Sequence, residues 1–266
     1  MTMSLIWFAL SAAGIVTIAK YALYDPVQRL VSYTRATKVV SGQILGYLTS
    51  APELVSTVFI AATGFFTAAA FNVLGSNVIN VFLVITAALW FKHLRTLRHA
   101  RYRLDLLIVG ASIVLPLALV LTDTATQLWT VPLFLTLLIA YFILLRARSE
   151  PPKETGSLPD PLPSSVTKWV VNSSVVLAGL VGLYFLGSQL GDSVYSLGYA
   201  FGVPAVVLGG LAAIATSLPE FTTFFSSFAK NGSSASTEVV HNLLASNVSN
   251  LLIIQTIGVI VYNLAT

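Results

Sequence analysis

A chain of 266 residues with 56% hydrophobic and only 9% charged residues is not an ordinary soluble domain, in which about a quarter of the residues carry charge; its mean hydropathy of +0.85 is that of an integral membrane protein. The formal net charge of +4 would point to nucleic acid in a soluble chain, but here Lys and Arg fall in the gaps between apolar runs, the pattern of membrane topology. With no cysteine there is neither a disulfide framework nor a thiolate metal site, so any metal must be held by oxygen or by the three histidines, and oxygen donors select hard cations.

Crossing the hydrocarbon core takes about 20 mostly apolar residues. On that measure an all-α protein of about eight spans is predicted, at 4–23, 37–62, 67–91, 104–122, 127–146, 167–188, 203–228 and 238–263. No basic residue precedes the first apolar run, so Met1 to Leu10 reads as the start of a membrane helix rather than a cleaved leader. Arg29, Arg35 and Lys38 follow span one, and Lys92, Arg95, Arg98, Arg101 and Arg103 follow span three, whereas the loops around Asp123 and Asp192 have no basic residue. Both basic loops are therefore expected inside, which puts the N-terminus and the turn from Thr63 to Phe66 outside and the turn from Lys230 to Glu238 inside, in a plasma (inner) membrane. Lys20 lies near the inner end of span one and is expected to snorkel to the headgroups. Trp90 and Trp169 read as interfacial anchors.

Residues 149–166 are rich in Pro and Ser with mixed charge and read as a cytoplasmic linker. The linker separates a first half, 1–148, with five spans from a second, 167–266, with three. An odd number of spans before the linker starts the second half from the opposite face, which turns a duplicated sequence into an inverted repeat. The duplication is visible. Thr49-Ser50-Ala51-Pro52-Glu53 matches Thr216-Ser217-Leu218-Pro219-Glu220, and Asn72-Val73-Leu74-Gly75-Ser76-Asn77-Val78-Ile79-Asn80 matches Asn242-Leu243-Leu244-Ala245-Ser246-Asn247-Val248-Ser249-Asn250.

Each first block offers chemistry that a lipid-embedded helix otherwise avoids. A carboxylate at such depth costs upwards of about 2.5 kcal/mol and is functional by default. Thr and Glu four residues apart share a helix face, with Ser50 or Ser217 beside them. Proline removes a backbone donor and displaces a carbonyl one turn earlier, here Leu48 and Ala215, and a freed carbonyl lining a cavity can bind a cation. Carboxylate, hydroxyls and carbonyls together suit calcium or sodium. In the second blocks, Asn72, Ser76 and Asn80, like Asn242, Ser246 and Asn250, stand four apart and make polar stripes expected to face the carboxylates; Asn72 and Asn242 serve equally well as bonds between helices. Gly75 and Ala245 are small enough for close helix approach. Pro116, Pro132 and Pro204 read as kinks, and His241 as a residue near the inner surface with no transport role.

The two linked blocks resemble the alpha repeats of the calcium/cation antiporter superfamily, of which the sodium/calcium exchangers are the best-known branch: a Gly-Thr-Ser-x-Pro-Glu type segment followed by Gly-Asn-x-x-Gly-Ser-Asn-x-x-Asn. The resemblance covers about 42–81 and 209–251, with Phe71, His241 and Ala245 at glycine positions of the pattern. It implies an alternating-access antiporter with broken helices at the midplane, exchanging Ca2+ for Na+. The carried-over ligands are Thr49, Ser50, Glu53, Ser76 and Asn80 with Thr216, Ser217, Glu220, Ser246 and Asn250. It also implies that spans one and six slide to open the site alternately. Ten spans are usual in the superfamily, so the resemblance implies that two scaffold helices are missing and that a second copy or another partner covers the flank. No cofactor is expected beyond the transported ions, and no enzyme activity, because neither a Ser/His/Asp arrangement nor a metalloprotease motif occurs. The alternatives are a Ca2+/H+ antiporter, in which Glu53 and Glu220 take up the protons, and a passive cation channel or accessory membrane subunit.

Overall fold

Unbroken apolar runs cannot leave backbone N–H and C=O groups facing lipid, so they satisfy those groups internally as helices. The computed structural model describes residues 2–34, 36–92, 94–98, 102–147, 165–231 and 235–266, and among them all regular structure is helical. Eight rods stand where the spans are predicted. They are α1 (Thr2–Ser32), α2 (Lys38–Thr49 continued by Ala51–Ala62), α3 (Phe66–Trp90), α4 (Arg103–Leu121), α5 (Thr130–Ala147), α6 (Val166–Ala200), α7 (Ala205–Asn231) and α8. The last runs through Ala235–Ser249, a π-helical turn at Asn250–Ile254, and Gln255–Ala265. Six of these are long and apolar enough to cross a membrane, while α5 and α7 supply the shorter apolar stretches Thr130–Leu145 and Ala205–Phe221.

Several boundaries differ from the sequence reading. The first rod does not stop after residue 23 but continues through Asp25, Pro26 and Arg29, with Pro26 in the first turn of its last segment, where a missing N–H is harmless. Asp192 is on no loop: it lies exposed on one face of α6, between the buried Gly191 and Ser193. One polar residue on an outward face does not end a helix, and α6 turns only at Gly202, whose φ of +66° suits glycine, just before Pro204. Pro204 accordingly precedes α7, with its carbonyl accepting from Val207 and Leu208, and Pro132 sits in the first turn of α5. Neither kinks a helix; Pro116 is inside α4. The expected linker lies outside the described residues except for its end, where the Ser165 hydroxyl accepts from the Lys168 N–H and starts α6. Residues 232–234 of the predicted inner turn also lie outside the described residues, and Glu238 belongs to α8, where it accepts from the Ser41 hydroxyl at 3.4 Å. Lys20 is half-buried in a π-helical turn of α1, its ammonium 5.1 Å from the Tyr21 ring centroid.

The polarity of the molecule is inverted relative to a soluble protein. Large apolar side chains such as Trp7, Phe82, Leu107 and Phe185 are exposed, whereas Glu53, Glu220 and the asparagines of both stripes are buried. The buried polar groups concentrate where the repeats meet. There α3 packs along α7, and the first half of α2 packs along α8. These two crossings are equivalent under the exchange of repeats, and their details repeat. Gly42 lies against the Glu238 carbonyl, His241 and Asn242; its counterpart Gly209 lies against the Ala68 carbonyl, Phe71 and Asn72. Next along, Gly46 meets Ala245, and Ala213 meets Gly75. A methyl on Gly75 would lie 2.7 Å from Ala213 Cβ, and one on Gly46 would lie 2.8 Å from Ala245 Cβ, so each crossing admits one methyl and not two. α1 and α6 pack on one another at the periphery and are the least enclosed of the long spans, whereas α8 is the most enclosed.

Candidate cation site

The two proline blocks shape their helices differently. In α2 the chain leaves helical geometry at Ser50 (φ −83°, ψ 0°), and Pro52 starts the second half within its first turn. Both the Thr49 and Ser50 hydroxyls donate to the Gly46 carbonyl, at 3.2 and 3.1 Å, taking over an acceptor that the helix ladder would otherwise use. In α7 the helix runs through Pro219 without a break. There the Thr216 hydroxyl reaches the Ala213 carbonyl only at 3.4 Å, Ser217 bonds across the repeat interface instead, and alanine replaces the less helix-prone glycine at the position equivalent to 46. The expected break is thus present in the first repeat and absent from the second.

All ten sequence-predicted site residues are buried, and they collect on the faces of α2, α3, α7 and α8 that meet. Glu53 Oε1 accepts from Ser217 Oγ at 3.2 Å. Ser50 Oγ and Ser246 Oγ are 2.9 Å apart, and Ser76 Oγ and Thr216 Oγ1 3.5 Å. Asn80 donates to Ser246 Oγ at 2.9 Å and to Asn247 Oδ1 at 3.3 Å; Asn250 donates to Asn77 Oδ1 at 2.9 Å. The last two bonds are the same bond with the repeats exchanged, Asn80 to Asn247 and Asn250 to Asn77. Asn77 also donates to the Ser112 carbonyl at 3.0 Å, and its own carbonyl accepts from Asn247 at 3.3 Å. Asn72 donates to Ser56 and Thr57 hydroxyls at 2.8 and 3.0 Å, which places it beside the first carboxylate's helix as well as in the stripe.

Asn77, Asn247, Ser56 and Thr57 are outside the predicted ligand set, as is Asn72, which the sequence reading places in the stripe alone. Asn77 and Asn247 were readable from the duplication itself, since both copies carry them, but the spacing-four stripe passes them by. Ser56 has the hydroxyl residue Thr223 at the equivalent sequence position, whereas Thr57 has no such signal, Phe224 standing there.

The unsatisfied atoms at the centre share one chemistry. Glu53 Oε2, both Glu220 carboxylate oxygens, Asn80 Oδ1 and Asn250 Oδ1 have no hydrogen-bond partner among the described residues. All five are oxygens, and the amide nitrogens of Asn80 and Asn250 donate elsewhere. Buried carboxylates left in that state cost several kcal/mol each if ionised, and two like charges sharing one buried site repel. The complement of such a cluster is a hard cation coordinated by oxygen alone. Among the described residues no group of three or more His, Cys, Asp or Glu is present, so the protein charge available to an ion is that of the two glutamates, with hydroxyl and amide oxygens completing the shell.

A family model described as sodium/calcium exchanger protein matches residues 3–148 and 172–265, covering both halves. No curated protein and no solved structure matches the chain.

Proposed function

The chain belongs to the sodium/calcium exchanger protein family, and from that premise we propose that it is a secondary active antiporter exporting Ca2+ in exchange for Na+ at the site between its repeats. The family consists of membrane transporters, not enzymes. The observation that carries the finer reading is the pair Glu53 and Glu220, fully buried at equivalent repeat positions, with three of their four carboxylate oxygens unpaired among the described residues. Two carboxylates balance one divalent ion or the monovalent ions that replace it. A site emptied of both would take two uncompensated charges through a low-dielectric barrier, so return without a counter-ion is slow and exchange is obligatory.

Access from either side requires elements that move without disturbing the cluster. α1 and α6 fit that role: they contact each other, contribute no residue to the cluster, and meet through glycines at Gly179 and Gly182 against Ala22, Leu23 and Ile18. The N-terminus is assigned to the outside and residues 149–166 to the cytoplasm on the distribution of Lys and Arg.

The test is Ca2+ uptake into inside-out vesicles under an imposed Na+ gradient or, separately, a proton gradient. Uptake driven by Na+ supports the stated coupling, and uptake driven only by protons replaces Na+ with H+ in the same mechanism. Movement that needs neither gradient and runs only downhill refutes exchange.

A further inference from the structure

At a constant offset of 170 (242 − 72), Asn72, Val73, Ser76 and Asn80 of α3 pair with Asn242, Leu243, Ser246 and Asn250 of α8, and every one is buried. Beyond Asn250 the two helices differ in their winding. α3 continues as uninterrupted α-helix, whereas α8 takes a π-helical turn at Asn250–Ile254, whose i→i+5 bonds take in one residue more than an α-helical turn and so turn the residues that follow to another face. Gln255, the first residue after that turn, is 1% exposed, whereas Ile85 at the same offset on α3 is 44% exposed. Such turns arise as single-residue insertions and gather at functional sites.

The insertion rotates a carboxamide inward. Neither Oε1 nor Nε2 of Gln255 has a hydrogen-bond partner among the described residues, although burying an amide without a partner is destabilising. One turn further along α8, a methyl on Gly258 would lie 3.1 Å from Thr57 Cγ2, and Thr57 is one turn beyond Glu53 on α2. Gln255 thus stands on the face of α8 that meets α2 between Glu53 and Thr57, on the Gly64-turn side of the carboxylates. In that stretch the Ser56 and Thr57 hydroxyls are gripped by Asn72, whose own Oδ1 is unpaired.

We propose that Gln255 is a cation ligand: its Oε1, with the Asn72 and Thr57 oxygens, forms a neutral seat for a monovalent cation beside the carboxylate pair. Every donor there is uncharged, which suits an ion that needs coordination but little added charge. The inference rests on the cation-exchange reading and assigns the counter-ion a place of its own, separate from the bidentate needs of a divalent ion.

Gln255→Met keeps length and volume while removing both polar atoms, and it is read in two ways on the full-length protein. In detergent, the melting temperature is followed as NaCl replaces choline chloride; in proteoliposomes, Ca2+ exchange is followed against Na+ concentration. The expected result is an Na+ dependence displaced by about tenfold to higher concentration in both, with the Ca2+ dependence held within about twofold. Gln255→Asn, which shortens the carboxamide, is expected to displace it in the same direction and serves if the methionine variant does not fold. A methionine variant that melts higher than the parent, with unchanged Na+ dependence, overturns the proposal and makes Gln255 a polar burden of the core. A parent protein whose melting is indifferent to Na+ overturns it too. A Gln255-dependent Na+ shift in a protein that exchanges nothing keeps the binding seat and rejects the exchange reading, so the two failures are distinguishable.

Discussion

Glu53 and Glu220 are isosteric with glutamine, so their contribution can be isolated from packing. Changing either to Gln removes one of the two charges proposed to balance a divalent ion while leaving volume and shape intact. Ca2+ uptake in Glu53→Gln or Glu220→Gln vesicles is expected to fall by about a hundredfold or more at fixed Ca2+, equivalent to about 2.8 kcal/mol; transport within twofold of the parent would remove the carboxylate pair from the mechanism. Asn77 separates site chemistry from architecture. Its side chain accepts from Asn250 and donates to the Ser112 carbonyl, so Asn77→Ala strands two buried partners, at a cost of roughly 1–3 kcal/mol for each group left unsatisfied. A thermal melt in detergent is expected to show that loss directly. Proline, carboxylate and repeat spacing mark the two blocks and their polar stripes in the sequence, and the family resemblance narrows them to the ten ligand candidates. Asn77 and Asn247 were not singled out because a stripe of period four describes a helix with one buried face, and α3 has neighbours on more than one side: α7, α8 and α4.

At the scale of elements, the two repeat crossings solve one packing problem with mirrored choices. In one the glycine is on α2 (Gly46) and the methyl on α8 (Ala245); in the other the methyl is on α7 (Ala213) and the glycine on α3 (Gly75). Close backbone approach is what lets van der Waals contact and short interhelical bonds hold membrane helices together. Gly75→Ala places two methyl carbons 2.7 Å apart and is expected to destabilise by about 1–3 kcal/mol. Adding Ala213→Gly gives the α3 and α7 crossing the same arrangement as its partner, and melting is expected to recover most of the loss; a double variant no better than the sum of its singles would show that the crossing is not set by this pair. The smallness of Gly75 and Ala245 is readable in sequence, but Ala213 and Gly46 as their partners are not, because contact between segments so far apart depends on the three-dimensional fold. The end of α6 illustrates the opposite limit. A lone Asp192 looks like a loop when charge alone is counted, whereas backbone continuity is decided by Gly202 and Pro204.

For the whole molecule, hydropathy made the number and order of rods legible, and duplication made their inverted relation legible; the one-residue π insertion in α8 was not, because periodicity fixes the face of a helix only while its turn is regular. The assembled consequence is that neither repeat owns the site. Ser50 of the first meets Ser246 of the second, Glu53 meets Ser217, and Asn80 meets Asn247, so an ion bound by both carboxylates joins the halves noncovalently and must leave before they separate. A ligand bound by the native state alone stabilises it by RT ln(1 + [L]/Kd), about 2.7 kcal/mol at a hundred times Kd. Ca2+ titrated into the purified protein is therefore expected to raise its melting temperature progressively, without a plateau once the site is filled, since each tenfold excess adds about 1.4 kcal/mol. In Glu220→Gln the rise is expected to begin at correspondingly higher Ca2+, and to begin equally late in Glu53→Gln, because the donors act on one ion from opposite repeats. A rise lost in only one of the two variants would mean that a single repeat holds the ion, and the shared site would have to be abandoned.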